Sequence, residues 1–400
     1  MHDDDTISNP SRNPTFDEVN AERRALLKGS LAGGALSLAG IPFAGCATTS
    51  GPAGAAAKPA TPGFVAVAPS TADAIVVPEG YEAYVLYAWG DPVSDEPACR
   101  QEGWNTAADQ AGQAGKHHDA LHYFAMVEGS ALSSTHGLLV VNHEYTDAHM
   151  MFPGIVQIVD DEGGEKVISL TPADQNRVDV EMAAHGGTIV EIRKTGGKWQ
   201  VVTDGALNRR ITVGTEMEVS GPAAGSPRLV TAADPTGRKV FGTINNCAGG
   251  VTPWGTYIMA EENIHGYFMG ELPAGHREAQ NYERLGIPEG SYEWAAHYDR
   301  YDVGKEPNEP NRFGWIVEVD VGDPASMPKK RTALGRFKHE NAELVVAPNG
   351  KVVVYMGCDE RNEYIYKFVS TGTFDAANPT SAANRNLLAD GTLSVARLDR

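Results

Sequence analysis

Cysteine, basic charge and long apolar runs are all scarce in this chain. Four cysteines in 400 residues cannot build a disulfide framework. Lysine and arginine number 33 against 52 aspartates and glutamates, a formal charge of −19. That balance argues against nucleic acid as a binding partner, because a phosphate backbone needs a basic face. Mean hydropathy is −0.30, which excludes a polytopic membrane protein. Several catalytic signatures are missing as well: no HExxH, CxxC, P-loop, dinucleotide glycine fingerprint or GxSxG elbow occurs. What is abundant is turn chemistry, with 44 glycines and 24 prolines punctuating short apolar segments.

The N-terminus has the character of an address. Arg23 and Arg24 precede Leu26-Leu27-Lys28 and an uncharged Gly/Ala/Leu-rich run to Gly45. This resembles a twin-arginine export signal over residues 1–46. It implies the twin-arginine translocase as a partner and a periplasmic or extracellular location. Phe43-Ala44-Gly45-Cys46 resembles a lipobox, which makes Cys46 a candidate lipid anchor; simple cleavage nearby is the alternative. Residues 47–73, rich in Ala, Gly, Pro and Thr, read as a flexible linker.

From residue 74 to 400 the pattern predicts an all-β domain. Short Val/Ile/Tyr/Trp runs alternate with Gly, Pro, Asn and Asp turns. Strands are expected at Tyr84–Tyr87, Leu138–Val141, Thr188–Ile192, Trp199–Val202, Lys239–Thr243, Tyr257–Met259, Ile316–Val319, Val352–Met356 and Tyr364–Phe368. One short helix is expected within Tyr282–His297. A weak repeat recurs: a turn glycine, an apolar strand, then carboxylates, as at Gly137–Glu144, Gly255–Glu262 and Gly350–Glu360. Such repetition predicts a β-propeller with loop and short-helix insertions, whose strand ends converge on an axis. The last residues, Asp390–Arg400, read as a strand in progress, so the propeller is expected to be incomplete at the C-terminus.

Three segments carry candidate chemistry. In Asn245–Thr256, Cys247 stands beside Gly249-Gly250, where the backbone can approach something closely. The cysteine is open to three readings: disulfide partner, thiolate ligand or nucleophile. Glu261 and Glu262 follow it across one turn and one strand, and thiolate with carboxylates describes a metal site better than a nucleophilic pair. The second segment offers His339, Glu340 and Glu343; residues three apart share a face on a turn and oppose one another on a strand. The third packs Asp359, Glu360 and Glu363 around Arg361. Carboxylates in this number can supply the ~6–8 oxygens that calcium takes.

Taken together the motifs resemble the PhoX family of bacterial alkaline phosphatases. The resemblance rests on GTINNCAGGVTPWGTYIMAEENIHGYF (242–268), RFGWIVEVD (312–320), LGRFKHENAE (334–343) and MGCDERNEYIYKF (356–368). It implies a propeller with an iron–calcium cluster (Fe3+ and Ca2+) that hydrolyses phosphomonoesters outside the cytoplasm. It further implies Cys247 as the iron thiolate. Glu261, Glu262, Glu340, Glu343, Asp359 and Glu144 become metal-ligand candidates, and Arg361 and Glu363 a substrate-contacting pair. Asn142 and His143 are implied contributors from an earlier blade. Cys358 is left either touching metal or pairing with Cys99. A calcium-dependent propeller lactonase or esterase, or a non-catalytic surface-binding propeller, are the competing readings.

Overall fold

The computed structural model describes residues 63–94, 98–99, 105–152 and 174–397, together with the two-residue strands at 158–159 and 165–166. The signal segment with Cys46, and the linker as far as residue 62, lie outside the described residues. Leu86–Ala396 belong to one compact unit. The described residues of the second unit, 63 to Val85 and Arg397, carry no helix or strand. The strand expected at Tyr84–Tyr87 is therefore not formed: its apolar residues Tyr84 and Val85 are exposed and no strand pairs with them. No helix among the described residues is long and apolar enough to cross a membrane.

The main unit is mostly β, as expected. The first sheet contains β1 (His118–Glu128), β2 (Ala131–His143), β5 (Gly186–Thr195), β6 (Lys198–Val202) and β7 (Arg209–Ile211). The short hairpin β3 (Ile158–Val159) and β4 (Glu165–Lys166) stands apart. A second sheet holds β8 (Glu216–Ser220), β9 (Lys239–Phe241), β10 (Asn246–Val251), β11 (Thr256–Glu261), β12 (Ile316–Asp320) and β13 (Lys329–Arg331). Its order is β10-β11-β12-β13-β8-β9, and the β13–β8 pair is parallel. The third is the four-stranded antiparallel meander β14 (Glu343–Val346), β15 (Lys351–Gly357), β16 (Ile365–Thr373) and β17 (Gly391–Val395). Eight of the nine expected strands fall on these elements. The expected helix starts earlier, at Ala279, and ends at Leu285, where Gly286 takes φ 74°, a left-handed cap that glycine adopts without strain.

The alternation of side chains explains how the sheets stack. Leu138 and Val140 of β2 enter the same core as Ile189 of β5, while Leu139, Val141, Val190 and Ile192 enter another on the opposite face. Strand β11 repeats this. Tyr257 and Met259 join the first core; Ile258 and Ala260 join the core that Val352, Val354, Met356 and Phe368 of the third sheet complete. Strands buried on both faces read as continuous apolar runs, because odd and even positions are both withdrawn from water. The three sheets thus share two apolar layers, sheet against sheet.

At the end of β11 this alternation parts two neighbouring acids. Glu261 takes the side of the first core and is fully buried. Lys330, equally buried, donates to it at 2.7 Å. Thr243 Oγ1 donates at 2.8 Å, and the Gly314 and Trp315 N–H groups donate at 3.0 and 3.1 Å. Burial pulls the Lys330 amine down to about 8, with Glu261 opposing the shift. Removing one partner of such a pair strands a buried charge. Lys330→Met should therefore cost about 3–5 kcal/mol of stability in urea unfolding, and adding Glu261→Gln should recover most of the loss. No recovery in the double variant would show that the pair is not the cause.

Candidate metal centre

Strand ends from the three sheets meet at one place. Strands β1 and β2 run antiparallel with His118 opposite His143, so the start of one lies beside the end of the other. Asp119 and Glu144 occupy those ends. The Glu144 N–H donates to the His117 carbonyl at 3.0 Å and closes the junction. From the second sheet comes Cys247. Asn245 takes φ 48° just before it, and the β10–β11 register shifts between Asn246 and Gly249. Cys247 thus sits in the irregular part of the ladder, with Sγ 3.6 Å from Asp119 Oδ2.

Backbone hydrogen bonds bring up the remaining acids. Glu262 N–H donates to Asn245 O at 3.0 Å, and Ala248 N–H to Glu340 O at 2.8 Å. Glu340 N–H in turn donates to Gly357 O at 3.3 Å, and Asp359 N–H to Lys338 O at 3.1 Å. The expected close approach at Gly249-Gly250 is real. A Cβ on Gly249 would lie 2.1 Å from the Ile258 carbonyl oxygen, and one on Gly250 would lie 2.0 Å from that of Ala342.

The result is a crowd of acids. Ligand atoms of Asp119, Glu144 and Cys247 all lie within 4.8 Å of one another. Burial first, then Asp119 through its charge and a hydrogen bond, with Glu340 and Asp359 adding, push Glu144 up to about 7. Burial, then a hydrogen bond and repulsion from Asp359, push Glu262 up to about 8. Glu340 is raised by burial, Asp359 and Asp119. The Cys247 thiol is raised by burial, Glu262, Asp119 and Glu144. Each group appears among the causes of another's shift, so the six form one electrostatic unit. Five carboxyls and a thiol held this way are short of positive charge, and bound cations would invert every one of these shifts.

The other expected site residues have the following surroundings. Glu261 is saturated by its core partners and faces away from the crowd, because a strand sends adjacent side chains to opposite faces. Glu343 is exposed at the start of β14 and acts electrostatically on His122; it is separated from Glu340 because β14 begins between them. Asn142 is fully buried. Its Nδ2 donates to the carbonyls of Cys247 at 2.6 Å and Ala248 at 3.0 Å, so it fastens β2 to β10. Its Oδ1 is buried with no hydrogen-bond partner. His143 is buried against Thr188 Oγ1 at 2.6 Å. His339 stacks on Phe337 with ring centroids 3.6 Å apart, and burial lowers it to about 3. Arg361 is exposed on the turn after Asp359. Glu363 is gripped by Arg284, at 3.2 Å from Nε and 2.8 Å from Nη2. Cys99, Cys247 and Cys358 are all free thiols, so no Cys99–Cys358 disulfide exists.

Sequence reasoning missed Asp119. It opens an apolar strand where the other acids close theirs, and only antiparallel pairing makes those positions equivalent.

Fold and site together define an all-β protein with a thiolate–carboxylate centre suited to cations. The family model described as alkaline phosphatase PhoX matches residues 62–400, and this chain belongs to that family. It is similar to a solved structure described as Pseudomonas fluorescens PhoX in complex with vanadate, a transition state analogue. The identity is 41% and the TM-score 0.74. The match covers 83% of this chain and 54% of that one, so this chain spans about half the length of that relative. No curated protein matches.

The raised carboxyls set a pH dependence. In the folded, metal-free protein Glu144 and Glu262 hold protons to about 7 and 8, whereas an unfolded glutamate releases its proton near ~4.3. Between those limits the folded state binds more protons, so stability falls as pH rises. Urea midpoints of chelated protein should drop from pH 5 to pH 8. Glu262→Gln should flatten the slope; an unchanged slope would disprove the crowding.

Proposed function

We propose that this chain hydrolyses phosphomonoesters outside the cytoplasm at a metal centre held by Asp119, Glu144, Cys247, Glu262, Glu340 and Asp359. The observation that carries the reading is the convergence of five carboxyls and one thiol from separate sheets. The donor chemistry fits a mixed centre: hard oxygens suit calcium, and a thiolate among oxygens suits ferric iron. When bound, these ions supply Lewis acidity and positive charge for the phosphoryl oxygens. Arg361, exposed beside Asp359, holds the non-reacting oxygens bidentately. Arg284 pins Glu363 and thereby the turn that carries Arg361. Asn142 keeps the Cys247 strand in place through its two carbonyl contacts. Family membership supports the reaction class, and the similarity to a vanadate-bound PhoX supports phosphoryl transfer.

The three sheets are, on this proposal, blades of a β-propeller. Shared apolar layers between successive sheets and strand ends meeting at one point support that architecture. The Arg23-Arg24 segment directs export by the twin-arginine translocase, and Cys46 is the lipid-anchoring residue.

Elemental analysis paired with a p-nitrophenyl phosphate assay tests the centre. Iron and calcium should co-purify, chelation should abolish turnover, and vanadate should inhibit. Arg361→Ala and Cys247→Ser should each lower kcat/KM by at least about a hundredfold, the scale of losing one charge-stabilising group. Turnover that survives both substitutions would reject the site. Intact-mass analysis of the exported protein should show an acylated Cys46, and a mature chain beginning elsewhere without acylation would reject the anchor.

A further inference from the structure

A cavity of about 260 Å³ lies within the main unit, and none of the six clustered groups lines it. Arg228, Arg284 and Arg336 line it, with Glu278, Leu285 and Trp315 among the remaining walls. Three guanidiniums around one small cavity are unexpected in a chain of charge −19.

Two of them have counter-ions. Arg228 Nε lies 2.9 Å from Glu278 Oε1, and Arg284 is held by Glu363 at 2.8 Å. Arg336 has none. Its Nε donates to the Phe313 carbonyl at 2.9 Å and its Nη2 to the Pro310 carbonyl at 2.7 Å. Among the described residues no hydrogen bond engages its Nη1, and no carboxylate forms an ion pair with it. Burial is the largest influence on Arg336 and disfavours its charge, while Tyr282, Glu278 and Glu261 favour it from beyond ion-pair distance. A half-buried guanidinium with no carboxylate in direct contact has donors left for an anion that enters the cavity. Two carbonyls fix the plane of the fork, so an oxyanion would meet a preorganised donor edge. Leu285 and Trp315 offer an apolar wall beside it.

We propose that this cavity is a second binding site, for a small organic oxyanion whose carboxylate or phosphate head lies on Arg336 and whose carbon body lies against Leu285 and Trp315. The cavity admits a compact molecule and excludes a peptide or polymer. It is joined to the metal-centre turn through Arg284, because the guanidinium that lines the cavity also clamps Glu363, four residues after Asp359. The site stands independently of the phosphatase reading: it needs neither metal nor turnover to fill.

The test is a binding titration of the metal-loaded chain with hexanoate and, separately, with butylphosphonate, which has no phosphoester bond to hydrolyse. Trp315 fluorescence and calorimetry report binding. Saturable binding is expected, and whichever head group binds more tightly identifies the ligand chemistry. Arg336→Gln should weaken it at least tenfold, while p-nitrophenyl phosphate turnover changes less than twofold. Ala223→Leu, at another lining residue, fills the cavity without removing a charge and should weaken it similarly; it decides the matter alone if Arg336→Gln fails to fold. No saturable binding, or binding that Ala223→Leu leaves intact, overturns the proposal. Butylphosphonate binding that is abolished by Cys247→Ser and untouched by Ala223→Leu places the anion at the metal centre instead, and overturns it equally.

Discussion

Six acidic groups are kept within reach of one another by backbone hydrogen bonds that their own side chains cannot loosen. Ala248 to Glu340, Glu262 to Asn245, Asp359 to Lys338 and Glu144 to His117 are all main-chain links. The backbone positions that carry these side chains cannot move apart without breaking those links. The side chains relieve their repulsion by taking up protons, which is why Glu144 and Glu262 are shifted so far, or by taking up cations. The apolar layers between the sheets provide the stiffness that sustains this arrangement. A crowd of like charges is tolerated only where burial elsewhere outweighs it.

The neighbours Glu261 and Glu262 show how finely this is divided. They are adjacent in sequence, and the alternation at the end of β11 sends them to opposite sides. Glu261 meets Lys330 and two backbone N–H groups, so its charge is compensated and its role is structural. Glu262 meets Asp359, Glu144 and a thiol, so its charge is aggravated and available to a cation. Identical side chains are compensated in one place and crowded in the other according to the side of the sheet each takes. Asn142 makes the same point. A polar side chain at a strand end acts on the site indirectly, by holding the carbonyls of Cys247 and Ala248.

Most strands were legible because they are apolar runs bounded by turn residues, and a strand buried on both faces must be apolar throughout. Tyr84–Tyr87 failed because an apolar run becomes a strand only when another strand completes its hydrogen bonds. Cys247, Glu144, Glu262, Glu340 and Asp359 were legible from the recurrence of acids at strand ends and from the family's motifs. For Glu343 and Glu363 the structure shows neighbours that spacing did not suggest. Spacing along the chain says which residues are near in sequence, whereas the onset of β14 and the reach of Arg284 decide which way each carboxylate turns.

The sequence by itself determined the β class, the acidic character, the glycine pair that permits close backbone approach and the presence of one cysteine among carboxylates. These follow from local chemistry: alternation, turn propensity and residue type. Only the tertiary structure decided that Asp119 lies with the other acids, that Glu261 pairs with Lys330 instead, and that Arg336 lines a cavity with no carboxylate in ion-pair contact. Each of those depends on a partner outside its own segment: Cys247 against Asp119, Lys330 against β11, and the carbonyls of Phe313 and Pro310 against one guanidinium. Pairing across such separations is set by packing and register, and no single segment carries that information.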